Sequence, residues 1–120
     1  MASERDPAEV VRRLFAARAA ERRDEVLSLL HPDVEMTSAA DGSRYRGHAG
    51  ARAYFGGQER GPTRTEVALQ RVEPVGADEV IARGRIRVHH HRNGLSDSPA
   101  AWRIVVRDGL VVRVDPLNMS

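Results

Sequence analysis

Residues 82–91 read Ala-Arg-Gly-Arg-Ile-Arg-Val-His-His-His, and they gather the side chains of this chain best suited to chemistry. Successive side chains of a β-strand point to opposite faces. Arg83, Arg85, Arg87, His89 and His91 then share one face, while Ala82, Gly84, Ile86, Val88 and His90 share the other. His90 is thus a titratable group on an apolar face, where it needs a hydrogen-bond partner or a task. An imidazole titrates near neutral pH and is a serviceable general base. His89 and His91 have the His-x-His spacing of a strand metal site. Their face otherwise offers arginine, which repels cations, and no third ligand stands with them, so no metal is expected.

The composition closes off several kinds of chemistry. There is no cysteine, which excludes disulfides, thiolate nucleophiles and cysteine-held zinc or iron–sulfur clusters. All 19 basic residues are arginine, which removes Schiff-base chemistry and a lysine nucleophile. Arg83, Arg85 and Arg87, joined by Arg103, Arg107 and Arg113 on neighbouring strands, could attract nucleic acid. Aromatic residues make up only 4% of the chain, however, and no base-stacking platform accompanies the arginines. A solvated or dimer-facing sheet is expected instead, its arginines meeting acids such as Glu66, Glu73 or Asp115. The opening Met-Ala-Ser-Glu-Arg-Asp-Pro has no apolar signal segment, and no run approaches the ~18 apolar residues of a membrane span. A cytoplasmic protein without membrane attachment is expected.

The elements that position these residues follow from local rules. A chain of 120 residues reads as one domain, 1–120. Asp6 with Pro7 and Glu9 forms a helix-opening pattern with a capping box. The apolar stripe Val10, Val11, Leu14, Phe15 runs on through Ala17 and Arg18 to a stop near Arg22-Arg23. Asp24 is expected to cap a second helix over 25–30, ended by Pro32. Residues 34–38 alternate as a strand, Arg44-Tyr45-Arg46 returns beside it, and Gly47-His48 starts a third helix to about Gly56. From residue 64 the period changes to two, with strands expected at 64–74, 79–92, 99–107 and 110–117. Asn93-Gly94 and Asp108-Gly109 are strong hairpin signals. Helices first and strands after make an α+β domain with the helices on one face of a curved antiparallel sheet. Ile86, Val88, Trp102, Ile104, Val112 and Val114 should face the helices, leaving Val105 and Val111 on the outer face.

Four stretches carry a resemblance: Val10-Val11-Arg12-Arg13-Leu14-Phe15-Ala16-Ala17; Asp24 through Met36; Tyr45-Arg46-Gly47; and Arg107-Asp108-Gly109 before a valine-rich last strand. In order and spacing they resemble the nuclear transport factor two-like superfamily, in its SnoaL-like and ketosteroid-isomerase-like branch. The resemblance implies a cone of curved sheet packed on three N-terminal helices, with an internal pocket, and often a homodimer that pairs sheet against sheet through the outer face. It does not choose an activity, because this fold hosts isomerases, cyclases, dehydratases, epoxide hydrolases and binders.

Taken position by position, the resemblance leaves most of the family's acid–base residues without a counterpart. Where ketosteroid isomerases have a tyrosine donor and two aspartates, this chain has Leu14, Ser38, and Ala100 or Ala101. The epoxide-hydrolase pattern meets Arg83-Gly84-Arg85 and a last-strand position near Pro116, one residue from Asp115. A cyclase-like acid or base could come only from His90 or Asp115. Arg18 stands where helix 1 of relatives is apolar and pocket-lining, and would suit a carboxylate or enolate. Ser38, Tyr45, Tyr54 and Trp102 are the expected substrate-binding residues, with Met36 and Phe55 as further lining. The implied function is a pocket protein for an apolar, oxygenated small molecule, with no cofactor. One form is an isomerase, cyclase or dehydratase with His90 as catalytic base and Arg18 or Tyr45 stabilising an oxyanion. The alternative is a non-catalytic ligand-binding or dimerisation domain.

Overall fold

Hairpin geometry and strand pairing set the frame for the site. The computed structural model describes residues 6–38, 42–58, 63–90 and 94–117; the side chains of 55–58, 63–65 and 90 lie outside that description. The order is α1 (Pro7–Ala19), α2 (Arg23–Ser28), β1 (Leu30–Thr37), β2 (Arg44–Arg46), α3 (Gly47–Gln58), β3 (Thr63–Pro74), β4 (Glu79–His90), β5 (Gly94–Arg107) and β6 (Leu110–Pro116). The strands form one six-stranded sheet in the order β2-β1-β6-β5-β4-β3. It is mixed rather than wholly antiparallel, because β1 runs parallel to β6. Helix α1 packs chiefly against β3 and also reaches β5 and β4, while α3 covers β1 and β2. All three helices lie over the same, inner face of the sheet.

The helix ends differ from the local reading. Pro7 opens α1, but Asp6 makes no side-chain cap, so the expected capping box does not form. The helix closes earlier than Arg22: Glu21 takes a left-handed φ of 59°, its N–H bonds to Arg18 O at 3.0 Å, and Arg22 N–H reaches Ala17 O at 2.9 Å. That is a Schellman closure with a glutamate in the place glycine usually takes, which hides it in the sequence. Arg22, not Asp24, is the N-cap of α2, and Asp24 instead stands in the first turn, where the helix dipole favours an acid. Leu30 belongs to β1. Pro32 is accommodated inside that strand because β1 and β6 lose register between Leu30 and Glu35.

The alternation expected of β4 holds: Val80, Ala82 and Gly84 are buried, Ile86 and Val88 half-buried, and Arg83, Arg87 and His89 exposed. β5 begins at Gly94, ahead of the expected start at residue 99, and so carries Pro99 within the strand. A proline is tolerated there because β6 ends at Pro116, opposite Trp102, leaving β5 a free edge beyond that point. Asp108 and Gly109 both have positive φ, 54° and 77°, as a tight hairpin turn requires.

One expectation about faces is overturned. Val111 is fully buried at 0% exposure, not on the outer face, and Val112 is only half-buried. Val106 pairs with Val111 but Val105 pairs with Arg113, so Val112 is the extra residue of a β-bulge. The bulge moves every residue before it to the opposite face. The core then reads across the sheet as Met36, Val114, Ile104 and Val80 in register, with Val11 and Leu14 of α1 buried in the same cluster. Every fully buried residue among those described is apolar.

Candidate functional site

The inner face of the sheet is where the sequence and the resemblance put a site, and its composition can be followed row by row. Trp102 pairs with Ala82, Ala100 with Gly84, Ser98 with Ile86 and Ser96 with Val88. Across β3 the partners are Val72, Leu69, Val67 and Thr65. None of these positions carries an acid. Asp115, a candidate for a cyclase-like acid, lies on the outer face: its neighbour Val114 is buried in the core, and its carboxylate accepts hydrogen bonds from Thr37 Oγ1 at 3.0 Å and Arg113 Nε at 2.6 Å. The ionised acid at a pocket floor that carboxylate-based proton transfer needs is thus missing from the described inner face of β3–β6.

The remaining inner-face candidates gather in two groups. Tyr45 stands on β2 opposite Met36, and its ring meets Tyr54 of α3 edge-on, with centroids 5.6 Å apart. Gly50 lets α3 approach this closely, since a Cβ there would lie 3.0 Å from the Tyr45 carbonyl carbon. Ser38 follows β1 on the same side as Met36; its N–H donates to Ser43 O at 2.8 Å, closing the turn into β2. Ser38, Tyr45 and Tyr54 are all half-buried. The second group is Trp102, 6% exposed, and Phe15 of α1, whose rings meet at 5.5 Å with a 56° tilt. Phe15 was legible only as part of a helix stripe; its ring contact depends on where α1 lands. Arg18 is half-buried one helical turn beyond Leu14.

His90 is placed by its backbone alone. Its backbone ends β4, opposite Gly94 and Thr63, and its side chain lies outside the described residues. From Ala82, the partner of Trp102, to His90 is eight residues, about 26 Å of strand at ~3.3 Å per residue. His91 and the side chain of Phe55 also fall outside the described residues. A histidine that the sequence reading passed over does have a defined contact: His48 Nε2 lies 2.9 Å from Leu30 O, tying the start of α3 to the start of β1. Among the described residues no cluster of histidine, aspartate or glutamate could hold a metal ion, and no helix is long and apolar enough to cross a membrane.

The outer face carries the arginines, and each of the central ones meets an acid. Arg85 donates to Asp97 at 2.6 Å, Arg87 stands 3.5 Å from the same carboxylate, Arg103 lies 2.7 Å from Glu79, and His89 lies 2.9 Å from Glu66. Glu73 accepts from Arg83 at 2.8 Å and lies 3.2 Å from Arg71. The Arg83 hydrogen bond is the main reason its carboxyl is held below the usual carboxylate range; a smaller desolvation effect works the other way, and the charges of Arg71 and Arg83 add to the lowering. The arginine row is therefore partly compensated within the sheet: Arg71 and Arg83 share Glu73, Arg85 and Arg87 share Asp97, and Arg103 and Arg113 each have an acid of their own.

Comparison with known proteins matches this arrangement. A protein of Pseudomonas putida KT2440 provisionally assigned as a polyketide cyclase superposes with a TM-score of 0.79 at 21% identity, over 94% of this chain and 91% of that one. A Mycobacterium tuberculosis protein solved in complex with estradiol-17β-hemisuccinate gives 0.77 at 18% identity, over 95% of each chain. The Δ5-3-ketosteroid isomerase of a Mycobacterium species gives 0.72 at 20% identity, over 95% and 94%. A search of curated protein sequences gives no match. The SnoaL-like domain profile matches residues 11–114. With the three helices and the curved six-stranded sheet in place, this chain belongs to the SnoaL-like domain family, within the nuclear transport factor two-like superfamily.

Proposed function

We propose that this chain binds an apolar, oxygen-bearing small molecule on the inner face of its sheet, without catalysing its conversion. The observation that carries this reading is the chemistry of that face. It is apolar at Val72, Ala82, Trp102, Leu69, Ala100, Val67 and Ile86, bears hydroxyl residues at Thr65, Ser96 and Ser98 toward one end and at Ser38, Tyr45 and Tyr54 toward the other, and has no carboxylate at its described β3–β6 positions. Half-buried tyrosines place a polar tip where an apolar ligand's ketone or hydroxyl needs a partner, while proton transfer lacks its usual acid. The steroid ester held by the M. tuberculosis protein of the same fold supports the ligand class.

Trp102 is the only tryptophan of the chain, so its emission reports on this face alone. Titration with a panel of polycyclic ketones, phenols and their carboxylated derivatives should give a saturable change in Trp102 fluorescence and a matching rise in Tm, since a ligand at 100 times its Kd adds about 2.7 kcal/mol. A panel that moves neither signal counts against the reading. The enzymatic alternative is a cofactor-free isomerisation, cyclisation or dehydration with His90 as base. It requires turnover that His90→Gln abolishes; unaltered turnover in that variant removes His90 from it.

We also infer that two copies pair through the outer sheet face. The interleaved ion pairs support this, because carboxylates set among the arginines lower the repulsion that bare arginine rows would bring to a second copy. Half-buried Val105 among them, and Leu95 at 54% exposure, supply apolar surface.

A further inference from the structure

Arg18 is misplaced for a surface arginine. At about 100° per residue, it falls about 20° from Val11 and about 40° from Leu14 on the helical wheel. Val11 is 0% exposed and Leu14 5%, so Arg18 occupies the middle of the stripe that α1 turns toward the sheet, and it is itself only half-buried. Long helical side chains lean toward the N-terminus, over the preceding turn. For Arg18 that turn holds Leu14 and Phe15, and Phe15 is the residue whose ring meets Trp102.

We propose that Arg18 is the anion-recognising group of the inner-face site, so that the ligand is an apolar skeleton bearing a carboxylate. This rests on the binding reading given above and narrows it to a charge class. A guanidinium near an apolar face needs acceptors for its several N–H donors. Arg18 already engages a group within the chain. Its five N–H donors can keep that contact and still bind a carboxylate through two parallel hydrogen bonds. The hydroxyls of Ser38, Tyr45 and Tyr54, on the β1–α3 side, would then serve the ligand's neutral oxygen, and Arg18, on the α1 side, its charged one.

The test uses matched pairs of polycyclic compounds, each as the free carboxylate and as its methyl ester, titrated into the full chain at neutral pH by calorimetry. The carboxylate should bind at least about tenfold more tightly than its ester, as a charge-assisted hydrogen bond exceeds a neutral one. In Arg18→Gln that ratio should fall to about one, and Arg18→Lys should restore part of it. Arg71→Gln, on the outer face, should leave the ratio as it is. Should Arg18→Gln fail to fold, the wild-type ratio and its decline with added salt decide the matter. Esters binding as tightly as acids, or a preference that survives Arg18→Gln, would overturn the role of Arg18 while leaving the binding reading intact. If no member of any pair binds, both fall together.

Discussion

Gly84 of β4 stands so close to Ala68 of β3 that a Cβ on Gly84 would lie 2.2 Å from the Ala68 carbonyl oxygen. The approach occurs where β3 carries an extra residue, Gln70, between the pairs Leu69–Gly84 and Arg71–Arg83, and a bulge of this kind bends and twists the strand. Gly84→Ala should therefore push backbone against backbone and cost about 3 kcal/mol, read as a lower urea midpoint with an unchanged slope. A wild-type midpoint would mean the two strands do not meet in this register.

The bulge in β6 makes a paired prediction. Val111→Ala empties a fully buried position and should cost about 2 kcal/mol. Val112→Ala, at the half-buried extra residue, should cost less than about 1 kcal/mol on the same scale. Chemical denaturation of the two variants side by side checks this, and the reverse order would place β6 one residue out of register.

Acid stability has a marker in Glu73. Arg83 lowers its pKa in the folded chain, so the unfolded chain binds the proton more readily. The stability this carboxylate contributes is fully present above the ordinary glutamate value, about 4.3, and is lost as pH falls through the lower folded value. The Tm of the wild type should fall more steeply than that of Glu73→Gln between about pH 5 and pH 3. Parallel curves would show that the pair adds nothing to folding.

The role of the hydroxyl cluster can be isolated at Tyr45. Tyr45→Phe keeps the ring that meets Tyr54 and removes only the hydroxyl. Affinity for a ligand found with the Trp102 assay should drop about fivefold to tenfold, the worth of one hydrogen bond of about 1–1.5 kcal/mol. An unaltered Kd by calorimetry would take Tyr45 out of the site.

Pairing of two copies predicts a dimer by light scattering at tens of micromolar. Val105→Arg places a further cation directly opposite Arg113 and beside Arg103 on the outer face, and should convert it to a monomer, since like charges directly opposite are destabilising and an unpaired buried charge costs several kcal/mol. A wild-type chain that is already monomeric at that concentration would refute the interface.

Local rules made much of this fold legible. Alternation along residues 82–89 assigned both faces of β4 correctly, and Asp108-Gly109 marked a hairpin whose residues both have positive φ. Such signals belong to one segment: a side chain's face follows from the pleat, and a turn's residues from the dihedrals they must adopt. The acids that meet Arg83 and Arg113, Glu73 and Asp115, were also foreseeable: Glu73 lies diagonally across the β3–β4 ladder from Arg83, and Asp115 follows Arg113 by two on the same face of β6.

What only the tertiary structure decided concerns relations between segments. A bulge is defined by counting residues against a partner strand, so alternation within β6 could not reveal that Val111 turns inward at Val112's expense. The same count, carried on through buried Val114, turns Asp115 outward, where the sequence had left it open. Parallel pairing of β1 with β6 joins strands far apart in the chain, and no local pattern encodes it. The site's extent is likewise a matter of register. Trp102 and His90 share an alternation pattern, yet eight residues of β4 separate His90 from Trp102's partner. Sequence named the residue types able to bind or react; pairing decided which of them stand together, because distance across a sheet is set by register and not by the order of residues along the chain.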